Sequence, residues 1–259
     1  MKKLSLILSV IFCSTVIPLL AQENIADSVA YYMALGDSLS AKWDHKGATA
    51  AYLKVLKFDP NNYEACWKAG DQYTDLADKL PKKQKDQKEI YFNEAKKLCE
   101  KAIKLNPKGY EGHFRLAVAL GRLALFRGGK EKIRLSKMVK AEGDTALALN
   151  PKADLVYHLI GRWHQNLANL SGMLKFFAKI LYGGVPPGSN EQAVAMFKKA
   201  IELNPNHIEH YLELARTYKY MGKKELMRAP LEKVLELPAV EEDDPEFKKE
   251  AAEMLKKLK

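Results

Sequence analysis

The chain has 259 residues, 47% of them hydrophobic and 29% charged, with a formal net charge of +10. That balance excludes a wholly disordered chain and is enough for one large domain or two small ones with a substantial core. The basic excess favours acidic partners such as phosphates, anionic lipid or acidic peptides, without choosing among them.

Residues 1–21 carry the parts of an export signal. Lys2 and Lys3 form a charged start, Leu4 to Leu20 an apolar run, and Ala21 a small residue before Gln22. An uncleaved anchor is the alternative, because the run is near the ~17-residue lower limit for spanning a bilayer. The expected location is exported, periplasmic or envelope-associated. Cys66 and Cys99 read as two buried thiols rather than a disulfide, and neither has a metal-site spacing.

From residue 22 onward apolar residues recur three and four apart, and strand signals are nearly absent. Four prolines reveal a period: "KFDPNN", "KLNPKG", "ALNPKA" and "ELNPNH", at Pro60, Pro107, Pro151 and Pro205. A small residue follows each at the same distance: Gly70, Ala117, Gly161 and Ala215. Upstream of each proline, matching positions hold Ala48, Ala95, Val139 and Ala193, then Tyr52, Cys99, Gly143 and Phe197. Small residues where antiparallel helices cross, a larger one beside them and a closing proline make the tetratricopeptide pattern. The fold predicted is all-α: an α-solenoid of about five tetratricopeptide-like hairpins over residues 22–259, capped by a helix near Pro245 to Leu258. The interval from small residue to closing proline grows from Gly36–Pro60 to Gly161–Pro205, which places inserts near 79–90, 123–137 and 169–188.

The first helix of each unit should line the concave face. Projected from the crossing residues, the groove should carry Trp67, Phe114, His158 and Leu212 on one row, and Val118, Arg122, Arg162, Arg216 and Lys219 on the other. Asp37 and Asp71 would make its N-terminal end acidic. An apolar rail with a basic end suits an anionic lipid or similar amphiphile; an acidic extended peptide or partner protein is the alternative. In the plainer reading the aromatics pack between repeats and the arginines pair with local carboxylates.

The insert "SGMLKFFAKILYGG" sets Met173, Phe176, Phe177 and Ile180 against Lys175 and Lys179. It reads first as an extension of the second helix buried on its own repeat, with a lid or a peripheral membrane contact as the alternatives. Catalysis finds no support: His164 has no nucleophile or carboxylate placed beside it by any motif. His207 and His210 lack a third ligand, so neither a metal nor a cofactor is expected. Nucleic-acid binding would rest on charge alone.

The stretch "LIGRWHQNLANL", the turn "GGVPPGSNEQAVAMFKKAIELNP" and the tail "LPAVEEDDPEFKKEAAEMLKKL" together resemble the regulator-of-microtubule-dynamics family. Gly161-Arg162-Trp163, Pro186-Pro187 before Ser189, and Glu241-Glu242-Asp243 carry the likeness, which is strongest from about residue 111 onward. The resemblance implies a non-enzymatic helical-repeat domain. It implies relatives that include a tether between mitochondria and endoplasmic reticulum credited with binding phospholipid, and others associated with microtubules.

Overall fold

The computed structural model describes residues 25–258, and the export signal expected at 1–21 lies outside the described residues. The described chain is a stack of antiparallel helix pairs without a strand. Helix α1 (residues 25–40) pairs with α2 (His45–Phe58), α3 (Tyr63–Lys79) with α4 (Lys85–Leu105), and α5 (Tyr110–Leu123) with α6 (Gly129–Leu149). In the fourth pair α7 (Asp154–Ala168) packs on α9 (Asn190–Leu203), with a short helix α8 (Gly172–Tyr182) between them in sequence. Helices α10 (Ile208–Tyr220) and α11 (Arg228–Glu236) form the fifth, and α12 (Asp244–Lys256) covers its open side through Phe247, Ala251, Met254 and Leu255. The expected solenoid of five hairpins with a capping helix is the observed fold.

One local device ends α2, α4, α6 and α9. The C-cap residue of each is Asp59, Asn106, Asn150 or Asn204, followed by proline, and all four adopt nearly the same extended backbone (φ −128 to −139, ψ 87 to 89). Proline disfavours a helical residue before it, which accounts for that conformation. The Asp or Asn side-chain oxygen then accepts from the amide two residues on, at 3.1 Å in Asn61, 3.2 Å in Lys108, 3.1 Å in Lys152 and 3.3 Å in Asn206. Each turn therefore satisfies its own backbone and redirects the chain at the same angle.

Within the hairpins the small residues let helices approach closely. A methyl group built on Gly161 would lie 2.8 Å from the Phe197 ring, and one on Gly70 would lie 2.7 Å from Cys99 Sγ. Cys66 and Cys99 are free and buried, and burial pushes the Cys99 thiol well above its ordinary range.

The insert regions differ in kind. Residues 79–90 and 123–137 become short connections plus lengthened second helices, α4 and α6 having 21 residues each against 14 in α2. The 169–188 segment does not extend the second helix as expected. It forms α8, capped by Ser171 and ended by Gly183, whose φ of +75 is followed by +103 at Gly184. Two left-handed glycines and then Pro186-Pro187 prevent α8 from running on into α9. Nor is α8 buried on its own repeat: Met173, Phe176 and Ile180 are exposed to solvent. Phe177 lies outside the described side chains.

The packing at Gly161 is testable. Gly161→Ala should lower stability in a urea titration by about 1–3 kcal/mol, the usual cost of overpacking, and Gly161→Ala with Phe197→Leu should recover part of it. An unchanged midpoint for the single variant would show that the close crossing does not constrain the hairpin.

Candidate functional site

The concave face is organised by carboxylates on α3. Asp71, Asp75 and Asp78 are four and three residues apart, which puts them on one side of the helix. Two arginines of α5, seven residues apart and so also on one side, meet the outer two: Arg115 reaches Asp71 at 2.7 Å and Arg122 reaches Asp78 at 2.8 Å. The middle carboxylate, Asp75, lies 3.6 Å from the imidazole of His45. Burial, with Asp71 nearby, pushes the Asp75 carboxyl up to about 7.

At the other end of the stack a buried carboxylate, Glu213 on α10, collects the basic side chains. It accepts from Arg162 at 2.6 Å, from Gln165 Nε2 at 2.9 Å and from Arg216. Arg216 also joins Glu250 of α12 through two hydrogen bonds. Beside this network His158 and His210 share a hydrogen bond between their Nδ1 atoms at 3.0 Å, and His210 Nε2 faces Asp154 at 3.1 Å. Burial, aided by the nearby His158 and His207, pushes the His210 imidazole down to about 3.

Between these ends lies a cavity of about 350 Å³. Its walls include His45, Asp71 and Asp75 from the first two hairpins, Arg115 from α5, Asp154, Asn204 and His207 from the fourth and fifth, and Glu241 from the connection between α11 and α12. That connection crosses to the first two hairpins. His45 Nε2 meets Glu242 Oε2 at 3.1 Å, while Lys79 Nζ lies 2.7 Å from both Glu242 and Asp243. Buried Asp244 shapes the approach, accepting from the amides of Val240 and Glu241 at 2.8 Å each. The segment Val240–Asp243 thus forms an acidic strap joining the last hairpin to the first two.

His45 also faces Gln72 Oε1 through Nδ1 at 2.9 Å, so both ring nitrogens meet acceptors and the doubly protonated ring satisfies both. Burial opposes that charge, but Gln72, Glu242 and Asp75 outweigh it and hold the His45 pKa above 6.5. Glu242 is held below its ordinary 4.5, because Lys79 and His45 outweigh its partial burial.

Few of the expected groove residues line this cavity face. Leu212 is fully buried in the core with Ile208 and Leu231, and Phe114 is buried with Ala146, Val156 and Ile160. Val118 packs against the same core as Phe114, and His158 is buried against Phe197. The projection from the crossing residues placed these side chains toward the groove, whereas the adjoining helix pair covers them. Trp67 is half-buried in a smaller cleft with Asp37, Tyr52 and Lys68, where Lys68 Nζ sits 5.7 Å from its ring centre. Arg122, Arg162 and Arg216 are paired as described, and Lys219 is exposed at the end of α10. His164 is buried edge-on to Trp163, at 4.8 Å between ring centres. Among the described residues no group of three or more His, Cys, Asp or Glu is arranged to hold a metal ion.

Sequence reasoning missed His45, Lys79, Asp75 and the strap. Glu241-Glu242-Asp243 stood out only as a mark of likeness, since nothing local reveals that residues nearly 200 positions apart meet. The pairing of the arginines did leave a signal: Glu209 and Glu213 precede Arg216 at one-turn spacings on α10.

The strap's electrostatics predict a pH dependence. Because the His45 pKa is raised, the stability it adds is full below pH 6.5 and is lost as pH rises through its folded value. Glu242, lowered, adds stability above pH 4.5 that is lost as pH falls through its own. In an NMR titration His45 should titrate above 6.5, and Glu242→Gln should bring it back toward 6.5. A value at or below 6.5 in the unaltered chain would contradict the contact.

Residues 33–259 match the family model described as Regulator of microtubule dynamics protein 1-3. Regulator of microtubule dynamics protein 1 of Pongo abelii is 28% identical over 193 residues, covering 74% of this chain and 61% of that protein. Regulator of microtubule dynamics protein 2 of Mus musculus is 30% identical over 197 residues, covering 76% of this chain and 48% of that protein. The matched region thus spans less than two thirds of those relatives' length. Among solved structures, a thermophilic tetratricopeptide-repeat protein of Thermus thermophilus superposes with a TM-score of 0.68 at 18% identity, over 88% of this chain and 98% of that one; at that identity the likeness concerns the fold. With a family model matched over nearly all of its described length, this chain belongs to the regulator of microtubule dynamics protein 1-3 family.

Proposed function

We propose that this chain is a non-enzymatic scaffold whose concave face receives an extended acidic segment of a partner protein. The observation that carries this reading is the chain's own strap. A turn with three successive carboxylates, Glu241-Glu242-Asp243, already lies against His45 and Lys79 through Glu242 and Asp243, so the face has the donors for such a ligand. Helical-repeat stacks offer extended concave surfaces of this kind.

The amphiphile reading has less in its favour. The apolar positions that an acyl chain would need, Phe114 and Leu212, are in the core, and the arginines meant for a headgroup already hold carboxylates. The cavity itself is walled largely by charged and polar side chains. If residues 1–21 direct export, the partner is a protein of the cell envelope.

The strap competes with any such partner, so the apparent affinity of the closed protein is reduced by the fraction of molecules in which it is open. A fluorescent peptide with the sequence of residues 238–244, followed by anisotropy, tests this directly. Glu242→Gln with Asp243→Asn, which loosens the strap, should bind the peptide about tenfold more tightly than the unaltered chain. Adding Lys79→Glu should abolish binding. An opened variant with no affinity for the acidic peptide would overturn the reading.

A further inference from the structure

The two ends of the stack meet through the strap rather than through helix packing. Neither α2 nor α3 packs as a helix on α11 or α12. Among the described residues, the strap's ion pairs to the first two hairpins come from His45 and Lys79 alone. These two cations differ in kind. Lys79 is 39% exposed and its partner Asp243 is 55% exposed, so water screens that contact and it contributes little. His45 is only 9% exposed and carries the shielded part of the attachment.

What His45 can hold depends on its protons. Doubly protonated, the ring donates from Nδ1 to Gln72 Oε1 at 2.9 Å and from Nε2 to Glu242 Oε2 at 3.1 Å. The neutral ring has one N–H for these two acceptors. With that proton on Nδ1, the Nε2 lone pair is turned on the Glu242 carboxylate. With it on Nε2, the bond to Glu242 survives without the ring's charge, and Gln72, which donates to Ser40 Oγ at 3.1 Å, has to turn its amide over. Either way the strap loses its best-shielded charge-assisted bond.

The charged groups around the ring are disposed to notice the change. Asp75 of α3, 3.6 Å from Nδ1, supports the charged ring from behind. Asp71 and Asp78 on that helix are already held by Arg115 and Arg122, and Lys79 is shared by Glu242 and Asp243. Glu241 and the imidazole of His207 face the same cavity. Loss of the His45 proton therefore leaves Asp75 and Glu242 on either side of a neutral ring.

We propose that the strap is a proton-controlled latch: protonated His45 holds it closed beside the cavity, and loss of that proton releases Val240–Asp243 and parts the last hairpin from the first two. The open state has no strap carboxylate beside His45 and holds the proton less tightly. The closed-to-open ratio therefore falls as pH rises, by at most about tenfold per pH unit for a single proton. Glu241 is part of the cavity wall, so release also widens the way into the cavity. The latch is a property of the chain without any partner, so it stands or falls separately from the acidic-segment reading.

Distances between spin labels test it in the full chain, frozen at a series of pH values from about 6 to about 9. The labels sit on Lys82→Cys, in the connection after α3, and on Val240→Cys in the strap, both exposed positions. Cys66 and Cys99 are fully buried, and Cys13→Ser removes the remaining thiol. One short distance should dominate at the acidic end, and a longer one should grow as pH rises above 6.5. His45→Gln should abolish the pH dependence. Asp75→Asn, which removes the support behind the ring, should move the transition to lower pH, and Glu242→Gln should show the longer distance throughout. Far-UV circular dichroism should stay constant over the range, because the helices themselves remain. An unchanged distance across the series, a pH dependence that survives His45→Gln, or a helix signal lost together with the short distance would overturn the proposal.

Discussion

A carboxylate taken out of water must find a cation or give up its charge, and on the concave face of this protein that requirement fixes how the repeats lean on one another. Asp71 and Asp78 hold α3 against α5 through Arg115 and Arg122. Glu213 holds α7 against α10 through Arg162, and Arg216 carries the same network on to Glu250 of the capping helix. Apolar packing alone would leave adjoining first helices free to slide, since a contact between alanines and leucines is non-directional. Paired charges at defined separations select one curvature. The curvature then decides whether the last hairpin comes near enough to the first two for Glu242 to reach His45.

Those same pairs consume what the linear sequence advertises as a basic half-groove. Arg162 and Arg216 each arrive already paired with a carboxylate. A ligand that drew both arginines away would leave Glu213 buried without a cation, which is strongly destabilising. What the face leaves accessible is a polar cavity with carboxylates, histidines and one arginine around it. Asp75 lines it with a pKa near neutrality, so the charge of the wall itself changes near neutral pH. The cavity and the strap are electrostatically one unit.

How much of this was legible from the sequence follows the range of the interactions involved. The hairpins were legible because their determinants are local. An Asx-Pro pair ends a helix through bonds to atoms two and four residues away, and a small residue at a crossing reports on one neighbouring helix. Which side of a first helix faces the groove was less legible, and Phe114 and Leu212 show why. Their rows are apolar for the sake of the next pair of helices, and periodicity alone does not distinguish a neighbour from a ligand. The insert at 169–188 was misread for a related reason: an apolar run is normally a buried one, and only the glycines after it, forced into left-handed conformations, show that the chain leaves the stack there. The strap was not legible at all, because it depends on the summed rotation of every hairpin between Lys79 and Glu242.

The division of labour between the faces follows from where the repeat tolerates change. First helices are constrained on two sides, by the close crossing within their own hairpin and by ion pairs to the next, so the concave face is assembled from residues that also carry the fold. The connections on the α8 edge lie outside both constraints: a side chain there touches neither Phe197 at Gly161 nor Glu213 at Arg162. Chain can be inserted at that edge at only the slowly growing entropic cost of a longer loop. That is where the stack has acquired a whole extra helix, α8. A concave face built from residues that also carry the fold resists drift, whereas the edge built from connections can change without disturbing it.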